Sequence, residues 1–418
     1  MKILHVLHNY FPSIGGTQIL FQNIAEHCVK DYDDAVEIFA TNSLYGPTKR
    51  QFKLVIPSFE IINGVNVKRF NFYRFHLPFF RMVTRLFMFL NIDVPYTFFK
   101  LIYGPWSPSL IAAIKQTDAD IIVASPISSY SYISYSLFRS KLKNPKPFVI
   151  QGAIHFKEDE NVEVIPKQIL AAIKKCDYYI SNTDFEKQRL IELGIDGNNI
   201  VSIGPGVNER IFENGDARYY RELLNIEDDE ILVAYMGRIE STKSIDTLLK
   251  ATQLVLEKNS KVKLVIAGYE SLYFEELKKV VAIFSKEEQH KIQFVTNLDT
   301  QQKINLYHAI DVLVLPSISE SFGMVFLEAW ACKKPVIGTN IGAIRCIVDH
   351  EKNGLLVKPL SVNELSDAII KLAADKDLRV QLGLNGYQKL IGNYTWDIVT
   401  KKYRDTYLKA IEKFSNQQ

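Results

Sequence analysis

The sequence predicts an α/β fold in which two domains are each built on a parallel sheet covered by helices. The chain has 418 residues, more than one hydrophobic core usually accommodates, so two domains of roughly 200 residues each are expected. Short β-rich runs alternate with helical patterns along the whole chain, which is typical of parallel sheets. Ligands of such sheets bind beyond the carboxyl ends of the strands, so residues that follow strands are the candidates for function.

The predicted elements divide between two halves of the chain. The first half contains β-rich runs at residues 3–8, 36–40, 121–125, 148–151, 178–181 and 201–203. The second half contains such runs at residues 231–236, 262–267, 292–295, 312–315 and 335–338. Helical patterns between them include residues 17–30, 186–193, 245–258, 324–332 and 363–374. Gly204, Pro205 and Gly206 suit a turn out of the first sheet, so we predict domains at 1–204 and 205–395, followed by a C-terminal helix at 396–418.

Composition narrows the class of protein. Hydrophobic residues make up 47% and charged residues 23% of the chain, as in a folded globular protein. The net charge of +3 is too small to indicate a nucleic-acid partner. The four cysteines contain no C-x-x-C pair, which argues against a zinc site and a disulfide framework and fits a reducing cytoplasm. A transmembrane helix is not expected, because no run of about 20 apolar residues occurs, and the apolar run near the start is too short for a signal peptide.

The most informative segment lies between Glu320 and Glu328. A predicted buried strand ends just before Glu320, and a helix is predicted to begin at Met324, so both carboxylates and several unpaired backbone N–H groups are expected at one edge of the sheet. Helix N-termini bind phosphate, and carboxylates accept hydrogen bonds from sugar hydroxyls. The combination suits a nucleotide-sugar. The candidate donor-binding residues of this segment are Glu320, Ser321, Phe322, Gly323, Met324 and Glu328.

A cationic segment follows another predicted strand. Gly237 follows the run at 231–236. Arg238 comes directly after it, and Lys243 follows before the next predicted helix. Glycine at a strand end lets the backbone approach a ligand closely. Two cations there neutralise a leaving diphosphate, the task that a divalent metal performs in other transferases. The alternative is a solvated arginine and lysine in a strand–helix loop.

Two further patterns are weighed at strand ends. Gly15 and Gly16 follow the first strand, where a flexible loop with free N–H groups and a simple tight turn are both compatible with the sequence. Asp118 and Asp120 mimic a metal-binding D-x-D motif but precede a strand, which places them at the opposite edge of the sheet in a structural role. No G-x-G-x-x-G follows a strand, which counts against a dinucleotide-dependent dehydrogenase.

Taken together, these segments resemble the GT-B glycosyltransferases, in particular the retaining transferases of family 4. The pair Glu320-x7-Glu328 resembles the E-x7-E motif of that family. Residues 235–243 resemble its V-G-R-L…K segment, residues 200–208 its I-x-V-I-P-N-G-V-D segment, and residues 353–357 its N-G-L-L-V segment. The segments occur in family order and at family spacing, and with Gly15 and Gly16 they cover nearly the whole chain.

The resemblance implies a fold and an activity. The fold would be two Rossmann-like domains facing a central cleft, with the C-terminal helix returning to the first domain. The activity would be transfer of a sugar from a UDP- or GDP-sugar, bound by the second domain, to a glycan or lipid-linked acceptor received by the first, with retention of configuration. No cofactor is expected, because the nucleotide-sugar is a substrate, and the resemblance implies that no metal is required. The setting would be polysaccharide, lipopolysaccharide or cell-surface glycan synthesis at the cytoplasmic face of the membrane.

The resemblance also assigns roles to residues. Arg238 and Lys243 would stabilise the departing diphosphate, Glu328 would hold the ribose hydroxyls and Glu320 would orient the donor sugar. Backbone N–H groups near Phe322 and Gly323 would cap a phosphate.

Two residues of the first half also receive roles from the resemblance. The loop of Gly16 would lie beside the donor phosphate and the acceptor. His155, which follows the predicted strand at 148–151, is the candidate for the family histidine that contacts the transferred sugar; a partly buried structural histidine is the alternative.

The chain departs from the family pattern at two places. Arg345 and Cys346 stand where the family often has proline and glutamate in a G-G-x-P-E segment, and Ser244 stands where it usually has glycine. The first change leaves the donor identity open. Two other functions therefore stay open: a GT-B nucleotide-sugar epimerase, and a catalytically weak nucleotide- or glycan-binding subunit.

Residues 67–106 combine basic and aromatic side chains, with Asp93 as the one acid. Arginines and aromatic rings together suit the surface of an anionic bilayer, so peripheral membrane contact is one prediction for this segment. The other is that the rings fill the core of the first domain and the arginines are solvated.

Overall fold

The computed structural model describes residues 1–13, 15–45, 52–55, 57–72, 77–90, 92, 107–125, 139, 142–156, 165, 167–269 and 271–417. The chain divides into two compact units. The first comprises Met1–Ile154, Val162–Gly204 and Val399–Gln418, and the second comprises His155–Asn161 and Pro205–Ile398.

The first unit is built on a sheet of eight described strands in the order β10-β9-β8-β7-β1-β2-β6-β5, and only the β5–β6 pair is antiparallel. Its strands are β1 Lys2–Leu7, β2 Ala35–Thr41, β5 Phe59–Ile62, β6 Val65–Phe70, β7 Ile121–Ser125, β8 Phe148–Gln151, β9 Tyr178–Ser181 and β10 Ile200–Ser202, with a separate antiparallel pair β3 Ser43–Tyr45 and β4 Phe52–Leu54. Its helices are α1 Gly16–Tyr32, α2 Leu77–Phe89, α3 Pro108–Lys115, α4 Lys167–Lys175 and α5 Asp184–Glu192, with a 3-10 turn at Gly197–Asn199.

The six strands predicted for the first half are confirmed, but the hairpin of β5 and β6 was not predicted. Its turn is formed by Asn63 and Gly64, both with positive φ angles of 48° and 83°. Asn-Gly between two apolar runs is the strongest short-range hairpin signal, because both turn positions need left-handed backbone. The predicted strands are all joined through helices, so the predicted elements do not include this hairpin.

The second unit is built on a fully parallel sheet of six described strands in the order β13-β12-β11-β14-β15-β16. The strands are β11 Ile231–Met236, β12 Val262–Gly268, β13 Ile292–Thr296, β14 Val312–Leu315, β15 Val336–Thr339 and β16 Leu355–Val357. The helices are α6 Ala217–Leu223, α7 Ile245–Lys258, α8 Leu272–Ala282, α9 Lys286–His290, α10 Thr300–Ala309, α11 Met324–Ala331, α12 Gly342–Ile347, α13 Val362–Ala374 and α14 Lys376–Asn393, with 3-10 turns at Glu209–Phe212 and Ser241–Lys243. The predicted α/β class with parallel sheets is confirmed in both units.

The strand order of the second sheet positions the site. From β11 the chain proceeds outward to β12 and β13, whereas from β14 it proceeds outward on the other side to β15 and β16. The direction of winding therefore changes between β11 and β14. In open parallel sheets the loops that leave two such strands diverge and open a crevice at their carboxyl ends, where ligands bind. The loops after β11 and β14 carry the predicted site residues.

The C-terminal helix α15 spans Trp396–Ser415, and from Val399 onward it belongs to the first unit. Tyr403 and Tyr407 on this helix are fully buried, and the Tyr407 hydroxyl lies 3.2 Å from Nε2 of His5 on β1. Burial lowers the pKa of His5 to about 3, so the ring is neutral. Arg404 donates from Nε to the buried Asp34 carboxylate at 2.7 Å. These contacts fix the helix to the first unit.

Asp118 and Asp120 lie before β7, at the amino edge of the first sheet, where they bond the Lys2 ammonium and the Lys2 backbone N–H. Their predicted structural role fits this placement. Of the basic and aromatic segment 67–106, the structure describes the end of β6, helix α2 and a few neighbouring residues; Arg74, Phe98, Lys100 and Trp106 lie outside the described residues. Among the described helices, none combines the length and the apolar character that crossing a bilayer requires.

Candidate functional site

The loop after β11 turns sharply at Gly237, whose φ is +151°. A Cβ at this position would lie 3.1 Å from the Tyr235 hydroxyl, and that hydroxyl donates to the Arg238 carbonyl at 2.6 Å. Tyr235 thus holds the loop through its hydroxyl. A side chain on residue 237 would strain the backbone at this φ angle. The Arg238 side chain is 58% exposed and pairs with Glu240 at 2.9 Å.

The loop continues as the 3-10 turn Ser241–Lys243 and reaches α7 through Ser244, whose φ is +48°. Left-handed backbone costs a non-glycine residue about 1 kcal/mol or more. This explains why the resembling family usually has glycine at this position; in this chain Ser244 adopts the left-handed backbone.

Lys243 and Glu320 form a buried ion pair that joins the loops after β11 and β14. Lys243 Nζ lies 2.5 Å from Glu320 Oε1, and the two side chains are only 8% and 11% exposed. Ser317 donates to the same oxygen at 3.0 Å, and the backbone N–H of Ile318 donates to the Thr242 carbonyl at 3.1 Å. Both side-chain bonds reach Oε1, so within the described residues Oε2 of Glu320 is left to accept from a ligand.

Glu328 lies on α11 with its carboxylate held from two sides. Tyr307 donates to Oε2 at 2.6 Å and Lys303 donates to Oε1 at 2.5 Å. Burial and the Glu328 charge together raise the pKa of Tyr307 well above its usual value, so the phenol keeps its proton and stays a donor. Each carboxylate oxygen retains a further lone pair for a hydroxyl.

Sequence reasoning missed Lys303 and Tyr307. They stand four residues apart on α10 and therefore share one face of that helix. Their spacing was the available signal, but only the folded structure, in which both side chains reach α11, identifies Glu328 as their partner.

Helix α11 begins at Gly323, whose φ is +94° and which carries no capping side chain. Phe322 is buried against Tyr394, with ring centroids 5.6 Å apart, whereas Ser321 and Met324 are half-buried. Within the described residues no side chain caps the first N–H groups of this helix, which begins after the carboxyl end of β14. Such a terminus binds phosphate.

The His155 ring stands among these charges. Its Nδ1 lies 3.4 Å from the Ser319 hydroxyl. Burial lowers the pKa of His155; the Glu320 carboxylate opposes this shift, while the charge of Lys243 adds to it, followed by smaller effects of Arg238 and Glu240. The imidazole is therefore neutral at pH 7, and the charges of Glu320, Lys243 and Arg238 all act on it.

Three residues that the sequence singles out make other contacts. Arg238 pairs with Glu240 rather than with Glu320 or Glu328. Gly16 belongs to the first unit, where it begins α1 after the cap residue Gly15. Cys346 lies on α12 with its thiol 3.3 Å from the Gly342 carbonyl of the same helix, so at the position of the family glutamate this chain has a half-buried thiol.

Comparison with protein families and curated sequences identifies relatives of this chain. Residues 216–389 match the model of the family described as Glycosyl transferases group 1. A D-inositol 3-phosphate glycosyltransferase of Saccharomonospora viridis is 28% identical over 249 residues, which are 58% of this chain and 58% of that protein. An uncharacterized glycosyltransferase of Methanocaldococcus jannaschii is 32% identical over 197 residues, which are 46% of this chain and 48% of that protein. The chain thus spans half to three fifths of the length of these relatives.

Solved structures with the same fold cover the whole chain. The HepE protein of Anabaena in complex with UDP has a TM-score of 0.73 at 17% identity, over 97% of this chain and 99% of that one. Sucrose-phosphate synthase of Thermosynechococcus elongatus also has a TM-score of 0.73, at 19% identity, over 98% of both chains. At these identities the likeness establishes the fold.

The electrostatics of His155 yield a prediction that does not depend on activity. In a protein with ¹³C-labelled histidine, the His155 resonance should titrate below the usual pKa of about 6.5. Glu320→Gln should lower this pKa further, because the carboxylate stabilises the imidazolium, and Glu275→Gln on exposed α8 should leave it unchanged. A His155 pKa at or above the usual value, or an upward shift in Glu320→Gln, would contradict the geometry.

The family match and the fold agree on one assignment. The matched residues 216–389 include β11, β14 and α11, and thus Arg238, Lys243, Glu320 and Glu328. The structural neighbours extend the likeness to both units. Residues 216–389 therefore match a glycosyl transferases group 1 domain, and the chain as a whole has the GT-B fold.

Proposed function

We propose that this protein transfers a sugar from a nucleotide diphosphate donor to a glycan or lipid-linked acceptor with retention of configuration. The observation that carries the proposal is the buried pair of Lys243 and Glu320 at the carboxyl ends of β11 and β14. A buried ion pair adds little net stability, because desolvation offsets much of the attraction. Its position at the edge where ligands of such sheets bind favours a role in binding a charged, hydroxyl-rich substrate.

In the proposed complex the diphosphate lies between two sources of positive charge. Lys243 and Arg238 approach it from the loop after β11, and the uncapped N–H groups of α11 approach it from the loop after β14. Fixed cations and helix dipoles stabilise the charge that develops on a leaving diphosphate, so we propose that no metal is needed. Glu328, held by Tyr307 and Lys303, accepts from the ribose hydroxyls.

The transferred sugar lies beside Glu320 and His155. Oε2 of Glu320 accepts from a sugar hydroxyl, and the neutral His155 ring offers one donor and one acceptor. The bond from C1 to the phosphate oxygen breaks, the acceptor oxygen bonds to C1 on the same face, and its proton passes to the departing phosphate. A UDP-sugar is the donor that we favour, because HepE, which shares the fold, binds UDP and UDP-glucose. The acceptor is received by the first unit.

Removal of either cation tests the proposed chemistry. Lys243→Ala and Arg238→Ala should each lower kcat by about 100- to 1000-fold, the usual effect of removing one preorganised electrostatic group. The control is Lys250→Ala, which removes an exposed lysine from the adjacent helix α7. Transfer is measured with labelled UDP-sugars and an acceptor panel.

Near-normal turnover in either variant would overturn the assigned roles. UDP-N-acetylglucosamine incubated without acceptor provides a second check. A change of configuration at C2 of its sugar would show that the protein is an epimerase and not a transferase.

We also propose that the segment 67–106 contacts the anionic cytoplasmic face of a membrane, where a lipid-linked acceptor resides. Four apolar side chains of α2 recur at helical spacing and are exposed, at 86% in the case of Phe89; they are Phe79, Met82, Leu86 and Phe89. The helix contains two arginines and no acid. An apolar stripe with cations suits the bilayer interface, where headgroups attract the arginines.

Binding to vesicles tests this contact. The triple change Met82→Ser, Leu86→Ser and Phe89→Ser should weaken binding to vesicles containing phosphatidylglycerol by at least about tenfold. The reason is that each change removes the free energy gained when an apolar side chain moves from water into the bilayer interface. Leu360→Ser, at an equally exposed leucine of the second unit, should have no effect. Equal binding of all variants, or no binding by the unaltered protein, would contradict the proposal.

A further inference from the structure

A buried carboxylate in the first unit is bonded to the chain next to His155. Glu186 lies in the first turn of α5 and is 1% exposed. Its Oε1 accepts from the Tyr179 hydroxyl at 2.7 Å and from the backbone N–H of Ile154 at 3.2 Å. Its Oε2 accepts from the backbone N–H of Asn182 at 2.8 Å. The carboxylate therefore links β9 and α5 to the segment that follows β8.

The segment between β8 and His155 is fixed at each step. Gln151 accepts from Ser125 at 2.6 Å and donates to the Asn182 side chain at 2.9 Å. The Gly152 N–H donates to the Ile180 carbonyl at 2.9 Å. A Cβ on Gly152 would lie 1.6 Å from the Tyr179 hydroxyl and 2.6 Å from Glu186 Oε1, so only glycine admits this approach. The bond from Glu186 to Ile154 is the last of these anchors before His155.

The residues on either side of the next peptide bond belong to different units. Ile154 groups with the first unit and His155 with the second. The His155 ring follows this peptide bond; its Nδ1 lies 3.4 Å from the Ser319 hydroxyl, and the charges of Glu320 and Lys243 act on it.

We propose that Glu186 is a positioning residue: by holding the Ile154 amide, its carboxylate fixes the main chain next to His155 and thereby the place of the His155 imidazole. The proposal rests on the role of His155 in the proposed function. Glu186 acts through the main chain and touches no substrate.

The cost of burying Glu186 supports a role beyond capping a helix. Burial raises the pKa of Glu186 to about 7, against the opposing effect of its hydrogen bonds from Tyr179, Asn182 and Ile154. No cation pairs with it among the described residues. The N-terminus of α5 already has a cap, because the Thr183 side chain accepts from the Glu186 N–H at 3.2 Å. A buried charge without a counter-ion is expensive, and one of its three donors is the amide of Ile154, next to His155.

The test combines Glu186→Gln with His155→Ala. In Glu186→Gln the side-chain amide presents donors to one of two backbone N–H groups, so the Ile154 anchor or the Asn182 anchor is lost. We expect kcat to fall by up to about 100-fold through misplacement of the ring, while KM for the donor and the affinity for UDP stay unchanged. The double variant should be no slower than His155→Ala alone, since both changes remove the same contribution. Glu192→Gln, at the exposed end of the same helix, is the matched control.

A second readout separates positioning from catalysis. The ¹³C resonance of His155, assigned by its loss in His155→Ala, should move in Glu186→Gln and stay in place in Glu192→Gln. An additive loss of kcat in the double variant, or an unmoved resonance, overturns the proposal. If His155→Ala leaves kcat unchanged, the proposed role of His155 fails, and the resonance still decides whether Glu186 positions the ring. If Glu186→Gln does not fold, Glu186→Asp, which keeps the charge but shortens the reach, is measured in the same way.

Discussion

The ion pair between Lys243 and Glu320 is the interaction on which the rest of the site depends. It joins the loops that leave β11 and β14, the two strands between which the direction of winding changes. Because both side chains are buried, each is held by the other and neither loop can move without breaking a contact that is costly to leave unpaired. Open parallel sheets generally have a crevice at the carboxyl ends of their strands. In this protein the ion pair makes that crevice charged and holds its two loops in place.

The surrounding residues support this pair in different ways. Tyr235 holds the turn at Gly237, Ser317 orients the Glu320 carboxylate, and Ser244 accepts left-handed backbone so that α7 begins at the right point. On the neighbouring helix, Tyr307 and Lys303 hold Glu328. Glu320 and Glu328 keep lone pairs, and α11 keeps its first N–H groups, for a substrate with phosphates and many hydroxyls.

Sequence patterns predicted the parts of the structure that local chemistry determines. The alternation of apolar runs predicted the strands that carry the site, and glycine after β11 predicted the turn at Gly237. The hairpin at Asn63 and Gly64 carries an equally clear sequence signal, but the predicted strands are all joined through helices. The partners of Glu328 were not legible, because Lys303 and Tyr307 come from a helix whose packing is a tertiary event. The pairing of Arg238 with Glu240 is likewise a choice between acids that spacing does not decide.

Hydrogen–deuterium exchange in the presence of UDP-glucose and, separately, GDP-mannose tests most directly whether an activated sugar binds at this pair. If an activated sugar binds at Lys243 and Glu320, one of the two ligands should slow exchange in residues 237–245 and 317–328. Exchange around residues 118–121, at the amino edge of the other sheet, should not change. Protection confined to other segments, or protection of 237–245 and 317–328 that persists undiminished in Lys243→Ala, would contradict binding at this pair.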